Sequence, residues 1–456
     1  MKRSNYLQFV PYKNHRLYFH SLRGNLFLLE KEYFETLDSF TTSRAQGPKD
    51  NQEIINDLKN AAYLIEDATD ERDFTKKRNI EWMNRLPSGE HFYLLDLTVS
   101  EACNLGCAHC LHKCSVSLSE SHGKKKFMDW ETAKQSIDFF YKNAKKNGLK
   151  EEKLWVHFGS AEPLLNWEII ARSILYLNGL SEKIRIAINT NITLVDKEIA
   201  QFLKDYNVEV STSLDGPING NDAIRIYPDG RGTFNKIIEK LELFESIGYP
   251  LDGFSITIND LNFDYIDDSF IEWAKQKNFK GIATDIDLIN MKNAARSIDE
   301  CVEKLISLRK SCLSRGIENF GSWTTSYQHL VNGSEDGMPT FCRAVKGNNI
   351  SVSPDGNFFI CGHTTTQLGS LREKENVFDK IGAYALLVSQ RLPGNDPMCT
   401  ECILEGVCAG QCQITREVSR KTGNGREEYL CNFYKQVTMR LLQEKIIEEV
   451  ENKNNA

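Results

Sequence analysis

Apolar positions along the chain change their spacing twice, dividing it into three stretches. In the first, to about residue 85, Gln8–Val10, Arg16–His20 and Asn25–Leu29 predict short strands, with Arg23-Gly24 at a turn. Helical spacing follows over Lys31–Phe40 and Gln52–Ile65, the latter placing Ile54, Ile55, Leu58, Ala61, Ala62 and Ile65 on one face. Thr41–Asp50, containing Gly47-Pro48, reads as the loop between them. These elements make a small α+β module. Residues 66–90 are densely charged and read as a linker or an exposed helix.

From residue 92 six short apolar runs predict strands: Phe92–Val99, Leu154–Phe158, Ile184–Asn189, Val208–Leu214, Gly253–Ile258 and Ile282–Ile286. Helical stretches lie between them at Asp129–Asn147, Trp167–Leu177, Lys197–Tyr206, Phe234–Ile247 and Tyr265–Lys277. Such βα units demand parallel strands with crossover helices, as an open doubly wound sheet or a partial barrel. The partial (β/α)6 barrel is favoured, because chemistry-bearing motifs follow several strand ends. Ser297-x-x-Glu300 reads as a capping box opening another helix. Beyond about residue 330 the chain is rich in turns and cysteines. There Ser351–Ile360 reads as a hairpin turning at Asp355-Gly356, and Tyr434–Asn452 as a closing helix. The predicted domains are therefore 1–85, 86–300 and 301–456.

Composition changes this picture little. The chain is 41% hydrophobic and 26% charged, which excludes disorder over most of its length. Its net charge of 56 − 63 = −7 gives no basic excess for nucleic-acid binding. No signal-like or membrane-spanning apolar run is present, so a cytoplasmic protein is expected.

The thirteen cysteines change it considerably. An odd count without a signal segment argues against a disulfide framework and for metal or redox chemistry. One group lies near residue 110, and the rest lie beyond 300. Cys103, Cys107 and Cys110 form Cx3Cx2C just after the first predicted barrel strand. Three thiolates at this spacing can hold three irons of a [4Fe–4S] cube and leave the fourth open. The alternative is zinc, with His109 or Cys114 as fourth ligand.

This motif resembles that of the radical S-adenosylmethionine enzymes, and the resemblance continues along the barrel. Phe158-Gly-Ser-Ala-Glu162-Pro163 resembles the family's GGEP segment, with Ser160 and Ala161 where glycines are usual. Thr190-Asn191-Ile-Thr-Leu resembles TNGTL, with Ile192 in place of glycine, and Ser213-Leu-Asp-Gly-Pro217 resembles SLDGP. Arg225 lies at the family's spacing from Ser213. The resemblance implies that Ser160, Ala161, Glu162, Asn191, Ser213 and Arg225 bind S-adenosylmethionine, the last through its planar fork. Taken singly, Glu162, Ser213 and Arg225 read equally well as a helix-end charge, a cap and a surface ion pair.

Cys342, Cys361, Cys399, Cys402, Cys408, Cys412 and Cys431 match the SPASM pattern of auxiliary iron–sulfur domains in every gap. The resemblance assigns Cys399, Cys402, Cys408 and Cys431 to an outer cluster, and Cys342, Cys361 and Cys412 to an inner one. Three [4Fe–4S] clusters are implied in all. Residues 343–355 offer no fourth inner ligand, leaving an open iron or a ligand such as Cys114, Cys301, Cys312 or His363. Zinc knuckles are the alternative for this region.

The N-terminal module resembles the winged-helix-like peptide recognition element of ribosomal-peptide (RiPP) maturases, which adds a leader peptide as a strand; a simple cap on the barrel is the alternative. The expected function is hydrogen abstraction from a precursor peptide and intramolecular cross-linking, foremost as a cysteine thioether. A flavodoxin or ferredoxin is the expected electron donor, and neither nucleic acid nor membrane is an expected partner. Carbon–carbon cross-linking, epimerisation and decarboxylation are further options. Sulfatase-maturase-type formylglycine formation is weakened because Gly362, not Asp, follows Cys361. A non-enzymatic iron–sulfur or zinc scaffold is the remaining alternative.

Overall fold

The computed structural model describes residues 1–40, 52–111, 126–287, 296–373, 376–408, 410–423 and 425–455. The loop expected at Thr41–Asp50 lies outside them, as does Cys114.

Six parallel strands form the centre: β6 (Leu94–Leu97), β7 (Trp155–Phe158), β8 (Arg185–Asn189), β9 (Glu209–Ser211), β10 (Gly253–Ile258) and β11 (Gly281–Ile286). They are the six that the apolar runs predict, and a parallel bridge between Ser213 and Ser255 carries the arc from β9 to β10. Helices Trp130–Lys146, Trp167–Leu180, Lys197–Asp205, Phe234–Ser246 and Asp268–Gln276 connect them. Alternate strand residues such as Leu95, Leu97, Val156 and Phe158 are buried in one extended core. On the other face polar side chains meet: Asp96 pairs with His157 at 2.8 Å, and Thr98 Oγ1 lies 3.4 Å from Ser351 Oγ.

The arc is wider than six strands. β12 (Glu318–Phe320) extends it parallel to β11, and β13 (Asn349–Val352) extends it parallel to β6. β13 is the first arm of the expected hairpin and pairs with β14 (Asn357–Phe359), which in turn pairs with β15 (Gln367–Ser370). Gly356 makes the turn at φ +79°, a conformation open to glycine without steric cost. The cysteine-rich segment is thus hydrogen-bonded into the barrel sheet.

At the N-terminus β2 (Leu7–Tyr12), β3 (His15–His20) and β4 (Leu26–Leu29) form an antiparallel sheet. Helices Lys31–Ser39 and Gln52–Asn60 cover one face through Leu37, Ile55 and Leu58. The second helix ends sooner than its periodicity predicts. Ala62 turns left-handed (φ +60°), and Leu64–Ile65 becomes β5, paired with β1 (Lys2–Arg3). Tyr63 drives the change, its buried hydroxyl donating to the Tyr18 carbonyl at 3.0 Å. The sheet's other face packs Val10, Leu17 and Phe19 on Leu404, Val407, Leu442 and Ile446.

Two other expectations need correction. Within 66–90 a helix forms at Asp73–Arg85, but it is seated, with Trp82 buried and its Nε1 donating to the Lys346 carbonyl at 2.9 Å. The C-terminal helix runs Arg426–Asn455, beginning earlier than Tyr434, so Cys431 stands on it. Glu427 and Glu428 suit its first turn, and Leu430 and Phe433 are already core residues.

Candidate active site and its cysteine groups

At the C-terminal ends of the strands lies a cavity of about 430 Å³ lined by Cys103, Cys107, Cys110, Ser160, Ala161, Glu162, Asn191, Ser213 and Arg225. Every residue proposed from the barrel motifs therefore reaches one space. Phe341 and His363, chain neighbours of Cys342 and Cys361, line it too.

Glu162 is fully buried. Its Oε1 accepts from Thr190 Oγ1 (2.6 Å) and Leu164 N (3.1 Å), and its Oε2 from Asn191 N (2.9 Å). Burial raises its pKa despite these donors. Asn191 is a node between strand ends: its Nδ2 donates to Asn104 Oδ1 at 2.9 Å and faces Cys103 Sγ at 3.9 Å, while its Oδ1 accepts from Thr193.

Arg225 reaches the site already partnered. Its Nε and Nη2 each lie 2.8 Å from Asp215 Oδ2, its Nη1 faces Cys107 Sγ at 3.9 Å, and its Nη2 lies 3.3 Å from His109 Nε2. Burial pulls the guanidinium down, but Asp215 and the neighbouring cysteines raise it overall, so it stays charged. Asp215 lies within SLDGP, and the motif alone does not mark it as a site residue; His109 lies within Cx3Cx2C, where the sequence suggests it only as an alternative zinc ligand. The signal was present, since a carboxylate beside a buried arginine is the usual way to hold such a charge.

Ser160 and Ile192, which replace the family's glycines, both keep left-handed backbone, at φ +85° and +51°. Ser160 Oγ donates to the Gly362 carbonyl at 2.9 Å, tying the barrel loop to the residue after Cys361. A Cβ at Gly362 would lie 2.8 Å from Thr98 Oγ1 and 3.2 Å from both Ser160 Cβ and Ser351 Oγ. An aspartate does not fit there without displacement.

The later cysteines fall into two sets by mutual influence. Cys361 feels Cys412 and Cys342, and Cys412 feels Cys342. Cys399 feels Cys408, Cys402 and Cys431, and Cys408 feels Cys402 and Cys431. Cys342 and Cys412 stand at the N-cap positions of helices Arg343–Lys346 and Gln413–Thr422; burial raises both thiols, against the pull of the helices' first N–H groups. Cys301 and Cys312 are buried on helix Ile298–Ser314, where Tyr429 neighbours Cys301, and Arg315 and Arg309 neighbour Cys312.

The donor set suits iron–sulfur clusters. Burial pushes Cys103, Cys408 and Cys412 up to about 11, so each holds its proton until a cation compensates the thiolate. Amide donors already face sulfur: Leu105 N lies 3.4 Å from Cys103 Sγ, and Gln411 Nε2 lies 3.0 Å from Cys431 Sγ. Among the described residues no three Cys, His, Asp or Glu side chains close on a single-ion site.

Residues 97–270 match the Radical SAM superfamily, so the barrel is a radical SAM domain. TigE, a radical SAM cyclopropyl synthase from Paramaledivibacter caminithermalis, is 28% identical over 444 residues, or 93% of this chain and 92% of that protein. The cysteine-type anaerobic sulfatase-maturating enzyme of Clostridium perfringens is 23% identical over 371 residues, 75% of this chain and 94% of that one. Streptococcus suis SuiB, solved with its precursor peptide SuiA, superposes with a TM-score of 0.52 at 16% identity, covering 93% of this chain and 98% of that one. The structure of anSMEcpe with bound AdoMet and the Cp18Cys peptide gives a TM-score of 0.61 at 19% identity, covering 79% and 99%.

Proposed function

We propose that this enzyme matures a ribosomally made precursor peptide by closing an intramolecular bond. The carrying observation is the single cavity that joins Cys103, Cys107 and Cys110 to Phe341 and His363, beside the inner cysteine set. In this reading Cys103, Cys107 and Cys110 hold one [4Fe–4S] cluster, and Ser160, Ala161, Glu162, Asn191, Ser213 and Arg225 hold S-adenosylmethionine. Cys399, Cys402, Cys408 and Cys431 hold an outer auxiliary cluster, and Cys342, Cys361 and Cys412 an inner one, as a SPASM domain does. When bound, these groups supply a 5′-deoxyadenosyl radical that takes a substrate hydrogen atom, with electrons delivered by a flavodoxin or ferredoxin. Buried Glu162 and the Asp215–Arg225 pair give the cofactor pocket fixed charges that need not reorganise during reaction.

The N-terminal module is the proposed leader-binding element, winged-helix-like in layout. Among the described residues β4 pairs only with β3, leaving an edge for strand addition. Beside that edge a cavity of about 440 Å³ is lined by Phe27, Tyr33, Asp57, Leu58 and Tyr63, and Phe27 is 49% exposed.

Two bond types have separate support. Three cysteines in the inner set favour a thioether, because a substrate thiolate would complete the donor set. The full-length likeness to a cyclopropyl synthase favours carbon–carbon ring closure instead. Formylglycine formation is disfavoured by the space around Gly362. Co-expression with peptides encoded by short reading frames beside the gene, followed by mass spectrometry, tests the function. A product lighter by two hydrogens is expected; an unaltered set of peptides refutes it. Both bond types remove two hydrogens, so thiol alkylation separates them: blocked cysteines mean thioether, alkylatable cysteines mean a carbon–carbon bond.

A further inference from the structure

On the wall of the same cavity, remote in sequence from every barrel motif, stands Asp285 near the end of β11. Its Oδ1 accepts from Ser322 N at 2.8 Å and Ser322 Oγ at 2.5 Å, and the Trp323 amide donates as well. Ser322 Oγ lies 3.3 Å from the Tyr434 hydroxyl. A serine hydroxyl has one hydrogen, and here it goes to the carboxylate. Tyr434 must therefore donate to Ser322, which fixes the chain's direction as Tyr434 to Ser322 to Asp285. Tyr434 is buried, and both Cys412 and Cys408 act on its phenol. The chain thus runs from the cavity to a buried phenol on the C-terminal helix.

We propose that Asp285 is the catalytic base that takes the substrate's second hydrogen as a proton. The assignment rests on the maturase reading above. One hydrogen atom leaves the substrate for the 5′-deoxyadenosyl radical; the new bond then forms as the substrate radical gives one electron to an iron–sulfur acceptor and one proton to Asp285. The two losses together make the two missing hydrogens. The position that carries an aspartate in sulfatase maturases is Gly362 here and is sterically closed, so a proton acceptor must come from elsewhere.

Burial pushes Asp285 up to about 6 against the pull of Ser322 and Trp323, a value suited to accepting a proton near neutrality. The other titratable groups around it are Asp287 two residues on, Tyr434 and Arg426 on the C-terminal helix, Asp215, which accepts from Thr257 N of β10, and His363 and Glu162 on the cavity wall.

The test uses reconstituted enzyme with the peptide identified by co-expression. In Asp285→Asn the ratio of modified peptide to 5′-deoxyadenosine should fall about a hundredfold. Ser322→Ala removes a donor, so its product–pH profile should rise at higher pH than the wild type. Infrared difference spectra of the holoenzyme between pH 5 and pH 8, without peptide, should show a carboxyl titrating near 6 that is missing from Asp285→Asn. An unchanged product ratio in Asp285→Asn, an unmoved profile in Ser322→Ala, or a carboxyl signal that survives Asp285→Asn overturns the proposal. If wild-type enzyme modifies no peptide, the maturase reading falls; if it does and Asp285→Asn matches it, only the role of Asp285 falls.

Discussion

Ser160 Oγ donates to the Gly362 carbonyl at 2.9 Å, so the loop after β7 is tied to the residue that follows Cys361. Ser160 keeps the glycine-like backbone, φ +85°, and holds it through this bond. Such a conformation costs a serine about 1–2 kcal/mol, and a hydrogen bond returns about 1 kcal/mol.

That pairing predicts an unusual order of stability. Ser160→Ala keeps the strained backbone and loses the bond, so it should be about 1 kcal/mol less stable than wild type. Ser160→Gly loses the bond but releases the strain and should lie close to wild type. Unfolding midpoints of the two variants check this; alanine melting above glycine would refute it.

Gly362 makes the converse prediction. Gly362→Ala forces a Cβ to 2.8 Å from Thr98 Oγ1 and should cost about 1–3 kcal/mol. The double variant Thr98→Ala, Gly362→Ala should recover part of that loss, measured as a coupling energy in a double-mutant cycle. Additive losses would show that the crowding comes from elsewhere.

The cysteine sets should behave as three independent sites. Anaerobically reconstituted protein should hold about 12 irons. Changing Cys103, Cys107 and Cys110 to Ala should remove about a third of them and all cofactor cleavage. Changing Cys399, Cys402, Cys408 and Cys431 should remove a different third while the absorption of the remaining clusters persists. Iron analysis with assay of 5′-deoxyadenosine decides it.

Asp285 gives a pH dependence of stability with a defined sign. Its folded pKa, about 6, lies above the ordinary carboxyl value, so the folded state binds the extra proton. The stabilisation is fully present below about pH 4 and is lost as pH rises through about 6. Asp285→Asn, which carries no charge, should therefore gain stability relative to wild type between pH 4.5 and pH 7.5. Thermal unfolding at both pH values measures the difference.

The N-terminal module is testable by a point change rather than a truncation. Deleting residues 1–85 would uncover Leu404, Val407 and Leu442 beside the outer cysteines, so the loss would not be confined to leader binding. Phe27→Asp places a charge on the β4 edge without touching that core. It should weaken precursor binding about tenfold or more, since burying an unpaired charge costs well over 1 kcal/mol. Equal binding by fluorescence anisotropy would place the leader elsewhere.

The barrel strands and most connecting helices were legible because their signals are local. Six apolar runs separated by helical spacing leave little choice of class, and Cx3Cx2C places three thiols on one loop whatever surrounds it. The capping box at Ser297 and Glu300 is equally local. Relationships between distant segments were not legible. Nothing near Asn349 says that it will pair with Leu94 and widen the arc, because parallel register is set by what the sheet leaves unpaired. Tyr63 ended a helix that its neighbours would have continued, because its hydroxyl had a buried carbonyl to reach. The chain from Tyr434 through Ser322 to Asp285 joins three segments with no motif in common. Periodicity and spacing record what each residue does with its neighbours; burial, and the partners that make it tolerable, exist only once the chain has folded.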